Sequence, residues 1–156
     1  MTDDNQKGSN WESFQAQAPQ IAAIGRQLLH NPNQGEVGLL ATVTPTGLAR
    51  IAPVCPIFSS PGIYLLVGRH TPKLKDLNAN GHYALHAMVG ADDLEFQVSG
   101  PALAIVDVET RRRVLADVPF PDCDPEDPIF ELHITQAIAV TWPEPGRSSK
   151  SVWRSA

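Results

Sequence analysis

Cysteine is scarce. Cys55 and Cys123 are the only two in 156 residues, and they lie far apart with no Cys-x-x-Cys spacing. That argues against a zinc site or a disulfide scaffold, so no metal site is expected, and it fits a reducing cytoplasm. Long apolar runs are also missing, and nothing reaches the length needed to span a bilayer. Neither a membrane nor a secretory route is expected, because the polar start, Met1 to Ser9, lacks the apolar stretch of a leader. Positive charge is in deficit, with a formal net charge of -5. Such a chain repels nucleic acid, which is excluded as a partner, so any phosphate-binding chemistry must be local. No Ser-His-Asp order and no paired-carboxylate spacing stands out, so hydrolase chemistry has no positive support and no catalytic side chain is named.

Proline and glycine are plentiful. Fourteen prolines and eleven glycines imply many turns, as a β core with short connections requires. With 42% hydrophobic and 19% charged residues, the length suits one domain over 1–156, with a helical segment over 1–35 and a barrel with inserted helices over 36–156.

Ser9 and Glu12 have the spacing of a capping box, and Ile21, Ile24 and Leu28 recur at helical spacing. Pro19 divides this segment into two helical pieces, and Asn31 to Gly35 ends it. The period then becomes two. Val37 to Thr44 reads as a strand, Thr44-Pro45-Thr46-Gly47 as a type I turn, and Leu48 to Phe58 as a second strand. Pro53 and Pro56 cannot donate to a ladder, so that strand must be bulged, partly unpaired or at an edge, with backbone able to face a ligand. After a turn at Ser59 to Gly62, Ile63 to Gly68 is a further strand.

Thr71 to Leu77 reads as a short helix, with Thr71 as N-cap, Pro72 at the first position and Gly81 beyond the end. His82 to Val89 and Glu95 to Val106 are strands, Asp107 to Val118 a helix, and Pro119 to Pro128 an acidic, proline-rich loop. Ile129 to Ile134, Ala137 to Trp142 and Lys150 to Arg154 complete the strands. Seven or eight closely spaced strands favour a barrel or sandwich over a parallel sheet.

Among residues with chemical potential, the run Gly68 to Lys75 is the most informative. A helix start offers N–H groups and partial positive charge to an anion. Thr71, Lys73, Arg69 and, from the preceding hairpin, Arg50 could converge there to hold a phosphate. The plainer reading is a solvated cap on an exposed helix. His82 and His86 share a face, which admits a metal or haem, although plain strand residues read the same way. Arg111 to Arg113 read as a solvated helix face, and Cys55 as a buried spectator thiol.

Three ordered blocks change the weighting. They are Leu39-Leu40-Ala41-Thr42-Val43 with Gly47 and Arg50 to Val54; Tyr64-Leu65 with Thr71 to Leu77, Asn80 and Tyr83-Ala84-Leu85; and Phe96-Gln97-Val98-Ser99-Gly100-Pro101-Ala102. Together, over about two thirds of the chain, they resemble the pyridoxamine 5'-phosphate oxidase-like FMN-binding split-barrel family. The resemblance implies a mainly β fold, an antiparallel split β-barrel with peripheral helices. It implies an FMN-binding flavoprotein, acting as an oxidoreductase in a homodimer, with a small-molecule substrate or an electron donor such as NAD(P)H. Arg50, Ile51, Ala52, Pro53 and Val54 take the place of the flavin-lining strand, and Leu66 and Val67 that of the next one. Thr71 and Lys73 match the phosphate-binding hydroxyl and lysine, and Lys75 a basic position beyond. Gln97, or Glu95, falls where a polar residue reaches the cofactor from the partner subunit. Trp142, or Trp153, resembles a late aromatic covering the flavin. Trp11, Phe14 and the late tryptophans are candidates to cover the dimer interface.

The chain departs from the oxidases that make pyridoxal phosphate. They carry a late Arg-x-His where this chain reads Arg147-Ser148-Ser149, and an arginine where it has Pro72. Vitamin B6 oxidation is therefore not expected. A deazaflavin, whose longer anionic tail needs a wider basic groove, and a non-catalytic flavin or haem carrier or sensor are the alternatives.

Overall fold

A computed structural model describes residues 7–31 and 35–156, without the side chains of 31, 35 and 36. The expectations for residues 1–6 and for the turn at 32–34 lie outside the described residues. The helical segment is two helices, α1 (Trp11–Gln17) and α2 (Pro19–Leu29), parted at Ala18 with Pro19 in the first position of α2. Pro19 therefore does what its missing N–H dictates. The capping box does not form. Asn10 caps α1, its Oδ1 accepting from the Ser13 N–H at 2.8 Å. Ser9 is instead held in a two-way backbone bridge with Ile134, at 2.8 Å in each direction. Glu12 accepts from the Ser60 hydroxyl, so long-range pairing overrides the local signal.

A two-residue pair, β1 (His30–Asn31) and β2 (Gly35–Glu36), precedes the main strands. β3 (Gly38–Val43) and β4 (Ala49–Val54) form a hairpin closed by the Gly47 N–H donating to the Thr44 carbonyl at 2.9 Å, with Gly47 at φ 88°. The expected single strand over Leu48 to Phe58 is two strands. β4 stops at Val54, and β5 (Ile57–Ser59) begins after Cys55-Pro56. The rest are β6 (Gly62–Leu66), α3 (Pro72–Ala79), β7 (His82–Ala87), β8 (Glu95–Ala104), α4 (Val108–Ala116), β9 (Ile129–Leu132), β10 (Gln136–Glu144) and β11 (Arg147–Arg154).

All pairings are antiparallel. One sheet has the order β4-β3-β7-β8-β10-β11, and a second, β8-β9-β6-β5, shares β8 with it. Sharing is possible because β9 and β10 meet the same edge of β8 in succession and then diverge. Their link crosses β8 at Gly100, where a Cβ would lie 2.2 Å from the His133 carbonyl oxygen. Only glycine admits that approach.

Alternate residues of the curled sheet point inward. Leu40, Leu85, Phe96 and Val98 meet Leu65 and Leu132 from the second sheet, and α1 and α2 cover them. Trp11 and Phe14 belong to this core, at 4% and 0% exposure, and not to an outer interface. A helix of this length holds by its apolar face, and Trp11 meets Phe14 edge-on at 5.2 Å. A smaller cluster, Ile57, Tyr64, Val114 and Ile129, lies beneath α4. There the arginines are not simply solvated. Arg113 donates to the Tyr64 hydroxyl at 2.8 Å, and Arg111 to the carbonyls of Pro125 and Asp127 at 2.8 and 3.0 Å. Among the described residues no helix is long and apolar enough to cross a membrane.

Candidate functional site

Among the described residues β4 pairs only with β3, so its other edge is a row of backbone groups outside the ladder. Two clefts open along it. The first, about 510 Å³, is lined by Arg50, Arg69, His70, Thr71 and Lys75, among others. The second, about 440 Å³, is lined by Pro53, Val54, Leu66, Lys73 and Phe120, with Cys55 and Val37 at its side. The first turn of α3 serves both, contributing Thr71 and Pro72 to one and Lys73 to the other. Arg50 to Val54 spans roughly 13 Å at a strand's rise per residue. The edge is thus basic and polar at one end and apolar at the other.

The basic end is organised by a residue that sequence reasoning passed over. Arg50 and Thr42 are cross-strand partners on the inner face, and α3 packs beside them. Asp76 of α3 is buried at 1% exposure. Its Oδ2 accepts both the Thr42 hydroxyl and the Arg50 Nε–H, each at 2.7 Å. Those bonds, Thr42's above all and then Arg50's, hold the Asp76 carboxyl below the usual carboxylate range against the opposing effect of burial. Buried acids are rare unless paired, and nothing in the local pattern marks Asp76 as one.

Thr71 occupies the N-cap position of α3 but does not cap it with its side chain. Its hydroxyl turns back to donate to the Gly68 carbonyl at 2.7 Å. Arg69 lines the same cleft, yet its guanidinium is engaged with Asp124, and its Nε lies 3.6 Å from Asp127 Oδ1. That pairing ties the proline-rich loop down beside the site, and Phe120 of the same loop packs against the Ile57, Tyr64, Val114 and Ile129 cluster and lines the apolar cleft. Asp124 is held below the usual carboxylate range, by the Glu126 N–H first and by Arg69 second.

The remaining sequence candidates divide by face. Ile51 and Pro53 lie on the outer face of β4, with Ile51 67% exposed, while Arg50, Ala52 and Val54 face the other way. Leu66 is half-buried at the apolar cleft, whereas the Val67 side chain is wholly in the core, so Val67 could offer only backbone. Cys55 is exposed, not buried as its apolar neighbours suggested, because it continues the outward alternation of Ile51 and Pro53. Gln97 shares a cross-strand row with Pro53, Leu39 and His86. Three strand spacings, roughly 14 Å, separate it from β4 of its own chain. Of the two tryptophans, Trp153 packs on Phe14 at 5.1 Å and donates to Gln17 at 3.3 Å, while Trp142 is 40% exposed. His82 and His86 do share a face of β7. His86 Nδ1 lies 2.6 Å from the Ala87 carbonyl and its Nε2 3.8 Å from Glu95. Among the described residues no group of three or more metal-ligating side chains comes together.

No protein-family sequence model and no curated protein matches the chain. Solved structures do. A NimC/NimA family protein from Clostridium acetobutylicum aligns with a TM-score of 0.64 at 17% identity, over 91% of this chain and 96% of that one. A protein of the same organism related to general stress protein 26, described as of the pyridoxinephosphate oxidase family, aligns with a TM-score of 0.60 at 10% identity, covering 92% and 95%. The fold is the pyridoxamine 5'-phosphate oxidase-like split barrel. A haem-binding protein from Mycobacterium smegmatis shares it, with a TM-score of 0.58 at 16% identity over 82% of this chain. This split barrel spans only 57% of the length of that one.

Proposed function

We propose that this split barrel binds a flavin nucleotide, FMN, along the free edge of β4 and works as a homodimeric oxidoreductase. The observation that carries the reading is the polarity of that edge. A phosphate suits the Arg50, Thr71 and Lys75 end, and a flat aromatic ring suits the Pro53, Val54, Leu66 and Phe120 end. Lys73, in the first turn of α3, lines the apolar cleft, and the resemblance assigns it to the phosphate. The Thr71 hydroxyl exchanges its Gly68 carbonyl for a phosphate oxygen. When bound, a flavin supplies hydride acceptance and donation at its N5, and the protein supplies binding, orientation and electrostatics. Edge N–H and C=O groups of β4 orient the ring, and Phe120 with Leu66 keeps water from one face of it.

The dimer is proposed from the resemblance, which puts Gln97 where a polar residue reaches the partner's cofactor. The place of Gln97, roughly three strand spacings from β4 of its own chain, supports that reading, since a contact with a flavin at β4 would then have to be with a second copy's. The outer face around it is apolar for a surface, with Ile51 and Val152 67% and 39% exposed. Two such faces apposed bring Gln97 of one copy, and Trp142 near the end of β10, toward the cleft of the other.

A haem-binding reading has one specific support, the likeness to the Mycobacterium smegmatis protein, together with His86 on the outer face. The absorbance spectrum of the purified protein and titration with FMN separate the two. Flavin bands and saturable FMN binding are expected, and a Soret band with no FMN binding would put haem in its place. Arg50→Ala and Lys73→Ala are each expected to weaken FMN by about 1.5–3 kcal/mol, the scale of a lost charged hydrogen bond, or roughly 10- to 150-fold. Unchanged affinity in both variants would refute this phosphate site.

A further inference from the structure

We infer that Asp76 is a positioning residue for the anion. It grips Arg50 by Nε so that the two terminal guanidinium nitrogens stay available to a phosphate monoester. The choice of ligand rests on the flavin-nucleotide reading; the grip itself does not.

The geometry is lopsided in a way that a purely structural ion pair is not. Arg–carboxylate pairs gain most from two parallel bonds, one to each oxygen. Here one oxygen, Oδ2, takes both donors at 2.7 Å, from Thr42 and from Arg50 Nε. The other, Oδ1, is buried and has no hydrogen-bond partner. The side chains differ just as sharply in exposure, 1% for Asp76 against 38% for Arg50. Both side chains line the cleft, but the buried Asp76 holds one end of the guanidinium while the rest of the more exposed Arg50 side chain lies open to it. Leaving a buried oxygen unmatched costs stability, and an uncharged side chain would fill the place at less cost. Holding a long, flexible arginine in one rotamer before the ligand arrives is what the arrangement gains.

Two effects of Asp76 on an anion have opposite signs, which makes the test decisive. As a bare negative charge near the cleft it repels phosphate, so removing the charge would tighten binding. As the holder of Arg50 it favours phosphate, so removing it weakens binding.

The experiment measures dissociation constants of FMN and of riboflavin, which lacks the phosphate, by quenching of flavin fluorescence. It uses the full chain as wild type, Asp76→Asn, Arg50→Ala and the double variant. Asp76→Asn is expected to weaken FMN roughly tenfold, the loss of one aligned charged hydrogen bond. Riboflavin should be unaffected, and the Asp76→Asn effect should vanish once Arg50 is alanine. FMN bound as well or more tightly by Asp76→Asn, an equal loss for riboflavin, or additive effects in the double variant would each overturn the proposal. If Asp76→Asn does not fold, Thr42→Val takes its place. A smaller loss confined to FMN supports the proposal, and no loss overturns it. A ligand-free readout keeps the two readings apart, the Arg50 Nε–H resonance in a proton–nitrogen NMR spectrum. Should wild type fail to bind FMN, the flavin reading falls and this signal decides alone. Its disappearance through fast solvent exchange in Asp76→Asn, or in Thr42→Val, supports the grip, and its persistence overturns it.

Discussion

Replacing Gly25 with alanine tests how firmly α2 is seated on the barrel. Gly25 faces the ring of Phe96, and a Cβ built there lies 2.4, 2.5 and 2.7 Å from three of its atoms. Ordinary contact starts near 3.4 Å, so something must move by about 1 Å. The ring has no room to yield. Phe96 is 0% exposed and meets Trp11 edge-on at 6.0 Å, and Trp11 is itself buried. Overpacking of this kind costs about 1–3 kcal/mol, and three simultaneous clashes put Gly25→Ala at the upper end. Against this stands the better helix propensity of alanine, about 1 kcal/mol. The net expectation is a loss of about 2 kcal/mol. For a chain of this length that lowers Tm by about 4–8 °C. Calorimetry or far-UV circular dichroism on heating reads it directly. In a Phe96→Leu background the same substitution should cost little, because the clashing ring atoms are gone. A Tm that is unchanged or raised by Gly25→Ala in the natural background would refute the reasoning and mean that α2 rides loosely.

Two further outcomes are expected. Ile51→Asp places a charge on the outer face of β4, and its burial against a second copy should raise the dimer dissociation constant at least roughly 100-fold, measured by light scattering on a sizing column; a dimer of wild-type strength would remove that face from the interface. His133 is held above its usual value, chiefly by its bond to Glu131 and also by the Lys7 carbonyl, with burial opposing. A raised value in the folded state means this contribution is fully present below the unfolded value, near 6.5, and is lost as pH rises through the folded one. His133→Gln should therefore reduce Tm at pH 5.5 more than at pH 8, and an equal reduction at both would sink the assignment.

Where a local rule acted without competition, the chain's sequence was a good guide. Pro72 opens α3, Gly47 closes the first hairpin and Pro53 marks an edge, because proline fixes φ and lacks an N–H, and glycine admits a positive φ, wherever either lies. Ser9 misled because its backbone is claimed by Ile134, far away in sequence, and Asn10 inherited the cap. Trp11 and Phe14 misled because large aromatics serve an interface or a core equally well until the topology is known. At the candidate site, Arg50, Thr71 and Lys73 carried a recognisable order. Asp76 and Phe120 did not, since one depends on α3 lying against the β3–β4 hairpin and the other on a distant loop packing over the cluster beneath α4. Pairings across sequence distance leave no periodic trace.

The single strand common to both sheets also governs how the molecule comes apart. β8 carries ladder bonds to β7 and β10 along one stretch and to β9 along another, so opening β8 itself disrupts both sheets at once. Amide protons in the middle of β8, flanked by strands on both edges, should therefore exchange with solvent only through a global opening. The loop that contains Phe120 lies outside those ladders and is held by Arg69 and Arg111 instead, so its amide protons should exchange well before those of β8.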